Sequence, residues 1–231
     1  MKQAAGAAAL AVAAVFLSTG ISAAQSLPAG FTLKGRAQAD FLFDNGRSSD
    51  FQFLDLTFGA TPAATGGPVG FEVGVKGFRG GKADFSESLI FATVSYETGF
   101  GKFSAGIPRP ATSDFFELPR VAGTNIFGAL AGVGLTTTEG TAMFGNQNYV
   151  GVRYDYGFAN GLKFAASYHD FTDSRTSTFA AAMGYDDGTY DAAFGLEYID
   201  TTGGTDMTYS ARFGYDAGQW GAGGMFSEAG I

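Results

Sequence analysis

From Phe31 to Ser227 the chain alternates apolar and polar residues with period two, in blocks separated by Gly, Asn and Asp. Phe31, Leu33, Gly35, Ala37, Ala39, Phe41 and Phe43 fall on one side, and Thr32, Lys34, Arg36, Gln38 and Asp40 on the other. That period predicts a strand with one apolar and one wet face. At 13 residues (Phe31 to Phe43) it exceeds a usual soluble strand and suits a tilted membrane strand. The same pattern predicts strands over 51–60, 69–79, 87–97, 103–107, 148–156, 162–169, 179–185, 190–198, 207–215 and 220–227. Turn clusters fall between them, among them Asp44 to Asp50 (DNGRSSD) and Thr201 to Asp206. Tyr96, Phe100, Tyr154, Tyr156, Tyr185, Tyr190, Tyr198 and Tyr215 gather near strand ends, where interfacial girdles need aromatic rings.

One stretch breaks the rhythm. From Pro108 to Gln147 the regular turns stop, and Asp114, Glu117, Arg120 and Glu139 appear. A connection this long is usually functional or disordered. Counting turns from a first strand that rises from the periplasm, Thr98–Gly101, Gly157–Gly161, Asp186–Gly188 and Ala217–Gln219 share the periplasmic side, where turns should be short; only Thr61–Pro68 on that side is longer. The long stretch then lies on the extracellular side, folded into the mouth of a barrel.

Composition narrows this further. The 231 residues include 36 Gly, 24 Phe and 10 Tyr, charged residues are 16%, and mean hydropathy is only +0.07. Low charge with moderate hydropathy excludes a bundle of membrane helices and favours a barrel with apolar-out, polar-in strands. The absence of Cys excludes disulfides and thiolate metal sites. Met1-Lys2-Gln3, an uncharged Ala4–Phe16 run and small residues at Ser22 and Ala24 predict a secretory signal peptide over 1–24, leaving a barrel domain at 25–231. Removal of Lys2 with that leader changes the net charge from −8 to −9, which argues against nucleic acid as a partner.

With these features in place the chain resembles Gram-negative porins, most closely those of alphaproteobacteria. The likeness rests on the leader, on Phe100 to Pro110 (FGKFSAGIPRP) before the long stretch, and on Asn148 to Tyr154 (NYVGVRY) after it. The resemblance implies an antiparallel up-and-down transmembrane β-barrel of 16 strands in the outer membrane. It also implies a homotrimer, and a third loop (here 110–147) folded inward to narrow a water-filled pore. Its partners would be outer-membrane lipid and small hydrophilic solutes and ions, with no cofactor and no catalysed reaction. Only about eleven or twelve strands are visible. Bacterial single-chain barrels have even numbers, so the expectation is either a chain lacking its last strands or a twelve-strand barrel.

A porin constriction sets loop acids against wall bases, and such charges orient polar solutes and set ion preference. Asp114 and Glu117 are the candidate acids. Arg36, Lys34, Lys76 and Arg153 on wet strand faces, and Arg109 at the loop's start, are the candidate bases; ordinary solvated lumen charges are the alternative reading. Pro108 and Pro110 also serve as strand terminators. Gly128 to Gly134 lacks the strand–helix context of a phosphate cradle and reads as the loop's apolar underside. His169 shares its face with Ser167, but both point to the lumen, which fits no lipase arrangement. Turn acids such as Asp186, Asp187 and Asp206 are chemically able to hold Ca²⁺, without support from their pattern. Two other functions fit the sequence: a structural or adhesive outer-membrane barrel that does not conduct, and a secreted soluble β-protein.

Overall fold

The computed structural model describes residues 27–44, 47–80, 85–116, 136–218 and 221–229. The leader, Glu117 and the 128–134 glycine run lie outside them. Eleven strands occupy most of the described chain, and their order in the sheet is the order of the sequence. They are β1 (Phe31–Asp44), β2 (Arg47–Ala60), β3 (Val69–Gly80), β4 (Phe85–Thr98), β5 (Gly101–Ile107), β6 (Tyr149–Gly157), β7 (Leu162–Phe171), β8 (Ser177–Asp186), β9 (Tyr190–Thr201), β10 (Gly204–Asp216) and β11 (Gly221–Ala229). All eleven strands expected from periodicity are present. The chain divides into two compact units, Met1–Val94 and Ser95–Ile231.

The strands are longer than the alternation suggested. Arg47 already pairs with Asp44, and Gly204 with Thr201, so two expected turn clusters are largely ladder joined by two-residue connections. Backbone pairing does not require apolar side chains, and polar residues beyond the apolar belt continue the ladder. The β9–β10 hairpin is therefore as short as any turn at the opposite end. Turn length does not separate the two ends of the second unit; only the long stretch does.

In the first unit, β1, β2 and β3 are antiparallel neighbours. The backbone register pairs Arg36 with Asp55 and Asp55 with Lys76. Between β2 and β3, a single helical turn α1 (Pro62–Thr65) carries Pro at its start. It is closed by Gly66 at φ +73°, which favours a residue without Cβ.

In the second unit, β5 to β11 pair consecutively. One face stays uncovered and apolar: Val150, Val152, Tyr168, Phe179, Met183, Phe194 and Phe213 are all exposed. The other face carries the polar residues and is the buried one. Val152 is 56% exposed while its neighbour Arg153 is 9%. An apolar surface this extensive would promote aggregation in water but is what hydrocarbon requires. Near the short turns, Tyr156 meets Phe158 edge-on at 4.6 Å, and Tyr190 lies 5.2 Å from Tyr215.

Candidate functional site

The polar face of the second unit is covered by the two ends of the long stretch. Its first arm leaves β5 at Pro108, where the chain can no longer donate to the ladder. Pro108 and Pro110 are fully buried. A 3-10 helix (Ala111–Asp114) follows, and Phe115 and Phe116 extend it along the wall. The second arm is helix α2 (Thr137–Phe144). Thr136 caps it by accepting from the Glu139 amide at 3.1 Å, while the Glu139 carboxylate accepts from the Thr136 amide at 3.1 Å. This reciprocal capping box is visible in the sequence as Thr-x-x-Glu, a signal the strand-based reading passed over.

One row of the register supplies most anchors. Arg153, Ser167, Ala180, Glu197 and Thr208 are successive cross-strand partners from β6 to β10. Arg153 donates through Nη2 to Asp114, and through Nε to both Asp155 oxygens at 2.9 and 3.1 Å. Its Nη1 donates to the carbonyls of Arg109 and Pro110, each at 3.3 Å. Ser167 Oγ accepts from the Ala111 amide at 2.9 Å. Glu197 accepts from the Thr112 hydroxyl on one oxygen and from the Thr137 amide on the other. Thr208 Oγ1 lies 3.2 Å from Thr137 Oγ1. Each polar side chain in the row is thus engaged with an arm.

Beside that row the wall is flattened by small residues. Ala165, Ala180, Ala182 and Ala193 form a buried cluster with Ala111 and Phe115, against which Phe116 packs. A Cβ on Gly184 would come within 2.7 Å of the Phe115 ring, and one on Gly195 within 2.5 Å of the Phe116 ring. The glycines at these positions are required by close approach of the arm.

Below the first arm a cavity of about 580 Å³ opens, walled by Lys102, Asp114, Arg153, Asp155, Lys163, Asp186 and Arg212. The Asp114 side chain is 55% exposed and lines this cavity beside Arg153. The surrounding walls alone would raise its pKa. The Arg153 guanidinium, by charge and hydrogen bond, outweighs that effect with help from Arg109 and Lys102, and holds it below the usual carboxylate value. A lowered carboxylate pKa contributes stability that is present above the unfolded value of about 3.9 and lost as pH falls through the folded value. Because the pair meets water, its contribution is limited to about 1 kcal/mol. Heat-modification midpoints measured from pH 6 down to 2 are expected to fall less steeply for Asp114→Asn than for the unaltered chain. Parallel curves would refute the assignment.

The expected site residues divide as follows. Arg153, Asp114 and Arg109 are brought together, though as a closed set of contacts rather than charges facing each other across open water. Lys34, Arg36 and Lys76 belong to the first unit. There Lys76 is buried, Lys34 is exposed, and the Arg36 side chain lies outside what is described, as does Glu117 altogether. His169 is on the wet face as expected, but it is fully buried rather than lining water. Tyr149 packs edge-on to it at 4.9 Å, and the Tyr149 hydroxyl donates to the Pro108 carbonyl at 3.0 Å. Ser167, on the same face, accepts from the Ala111 amide. Sequence reasoning missed Glu197, Thr112, Thr137 and Tyr149 as site residues. Besides the capping box, the available signal was Glu197 itself, an acid that follows Ala193 and Gly195 on a wet face.

A family sequence model described as Gram-negative porin matches residues 7–230. The chain belongs to the Gram-negative porin family. It is therefore an outer-membrane β-barrel channel for passive diffusion, and the uncovered apolar face described above suits such a barrel. Among solved structures it is similar to a triple mutant of the Rhodopseudomonas blastica porin. That match has 15% identity and a TM-score of 0.38, covering 86% of this chain and 84% of that one. A second mutant of the same porin matches at 16% identity and a TM-score of 0.39, with the same coverages. No curated protein matches. The family assignment rests on the sequence match.

Proposed function

We propose that this porin passes small hydrophilic solutes and ions through a water-filled bore narrowed by the 110–147 segment, without converting them chemically. The observation that carries the reading is the coverage of the polar face: both described arms of the segment lie on it, where a barrel's lumen would be. Asp114, held by Arg153, presents a fixed acid–base pair to the cavity, and Glu117, Arg109, Arg36, Lys34 and Lys76 complete the proposed set of constriction charges. Such a set orients dipolar solutes as they pass. Export would use the 1–24 leader, cleaved before insertion, and the working form would be a homotrimer in outer-membrane lipid.

The mature charge of −9 supports a mild cation preference. Purified protein in a planar bilayer is expected to give discrete conductance steps, and a salt gradient a reversal potential of the cation-selective sign. An anion-selective sign would overturn the preference. Absence of steps would favour a plugged, structural barrel.

A further inference from the structure

We propose that Glu197, together with the glycine–alanine floor beside it, is the positioning element that fixes this porin's size cut-off, by holding both arms of the inward segment at once. The inference rests on the channel reading above and adds to it the residues that set the aperture.

Three observations support it. First, Glu197 is 5% exposed and spends its two carboxylate oxygens on different arms, Oε1 on the Thr112 hydroxyl and Oε2 on the Thr137 amide. A buried carboxylate needs its lone pairs satisfied, and here the partners are the two ends of one segment. Second, the neighbouring residues on the same face of β8 and β9 are Ala180, Ala182, Gly184, Ala193 and Gly195. Any larger side chain at Gly195 would have to displace the Phe116 ring or the Thr112 methyl, 3.0 Å from a Cβ there. Third, the remaining bonds are distributed one per arm: Ser167 holds only the first, Thr208 and Thr178 only the second. Glu197 is the residue among these that couples them. Loss of its carboxylate loosens both arms together and lets them shift into or away from the bore, whereas loss of Ser167 loosens only the first.

The chemistry also separates hydrogen bonding from charge. In Glu197→Gln the amide oxygen still accepts from the Thr137 amide, and the NH₂ donates to the Thr112 hydroxyl, which then accepts. Both arms stay seated although the negative charge is gone. In Glu197→Ala neither bond remains. Gly195→Leu leaves all charges intact and removes the floor.

The test uses the full-length protein in planar bilayers, with single-channel conductance and the size cut-off for neutral polyethylene glycols as readouts, and heat-modifiable gel mobility as the check that each barrel has folded. Glu197→Ala and Gly195→Leu are expected to change conductance by about twofold and to shift the polymer cut-off, because lumen geometry sets both. Glu197→Gln is expected to keep the original cut-off. If Glu197→Gln shifts the cut-off as Glu197→Ala does, charge rather than the double bond is responsible and the proposal fails. Unchanged cut-offs in folded Glu197→Ala and Gly195→Leu, against clear steps from the unaltered protein, overturn the clasp alone. An unaltered protein that gives no steps overturns the channel reading, and the aperture role with it.

Discussion

Replacing Arg153 by methionine is expected to destabilise the barrel by about 3 kcal/mol, near the lower edge for breaking a buried ion pair. The methylene stem is retained, so the loss comes from the guanidinium. Asp155 loses three hydrogen bonds to it, Asp114 loses its partner, and two arm carbonyls lose theirs. Among the described residues, Asp155 then keeps Lys102, at 3.7 Å, as its ion-pair partner. Asp114 can turn to water, which is why the cost stays at that lower edge. Lysine at the same position is expected to recover only part, because a single ammonium cannot reach two carboxylates and two carbonyls in the planar fork that arginine offers. The measurement is the temperature at which the folded gel band is lost. A methionine variant melting with the unaltered protein would show that the cluster contributes nothing net.

Tyr149→Ala is expected to cost about 3–5 kcal/mol, the range for removing a large buried aromatic. The ring is 1% exposed and packs against His169 and, at 5.6 Å, Phe171, its cross-strand partner. The hydroxyl holds the first corner of the inward segment through Pro108. Tyr149→Phe separates the two roles. It keeps the packing and leaves the buried carbonyl without that donor, for an expected loss of about 1 kcal/mol. The shifts in denaturant midpoint caused by the two substitutions should therefore differ by a factor of several. Equal losses would mean that the hydroxyl, not the ring, holds the corner.

The strands were legible because one rule governs them. A lipid-facing apolar position must be followed by a lumen-facing one, so Val150-Gly151-Val152-Arg153 declares its faces without help from the fold. Strand ends were less legible. Asp200, Thr201, Thr205 and Asp206 look like turn residues by polarity, yet they pair in the ladder, because polarity reports the medium and not the hydrogen bond. The site was read in part. Asp114 and Arg153 were identified as charges of opposite sign on loop and wall, and they do meet. Asp155, two residues on along the same face of β6, was within reach of that pattern, but the contacts with the arm carbonyls were not, because period-two patterning does not say where a loop folds back. The same limit hid Glu197, whose partners Thr112 and Thr137 are ordinary polar residues until the fold brings β9 under them. His169 illustrates a further gap: its face was predicted, but burial beneath the arms is a tertiary fact that alternation along β7 does not contain.

The seating of the inward segment also constrains the order in which the molecule assembles. Hairpins such as β6–β7 and β9–β10 join sequence neighbours. The bond from Thr112 to Glu197 instead closes over 85 residues, and the one from Thr137 over 60. Closing loops of that length has a higher entropic cost than closing a hairpin. Every anchor of the first arm on Ser167, Arg153 and Glu197 belongs to a strand that follows the arm in the chain. The wall through β9 must therefore exist before the first arm can dock on it, which makes that docking a late step of folding.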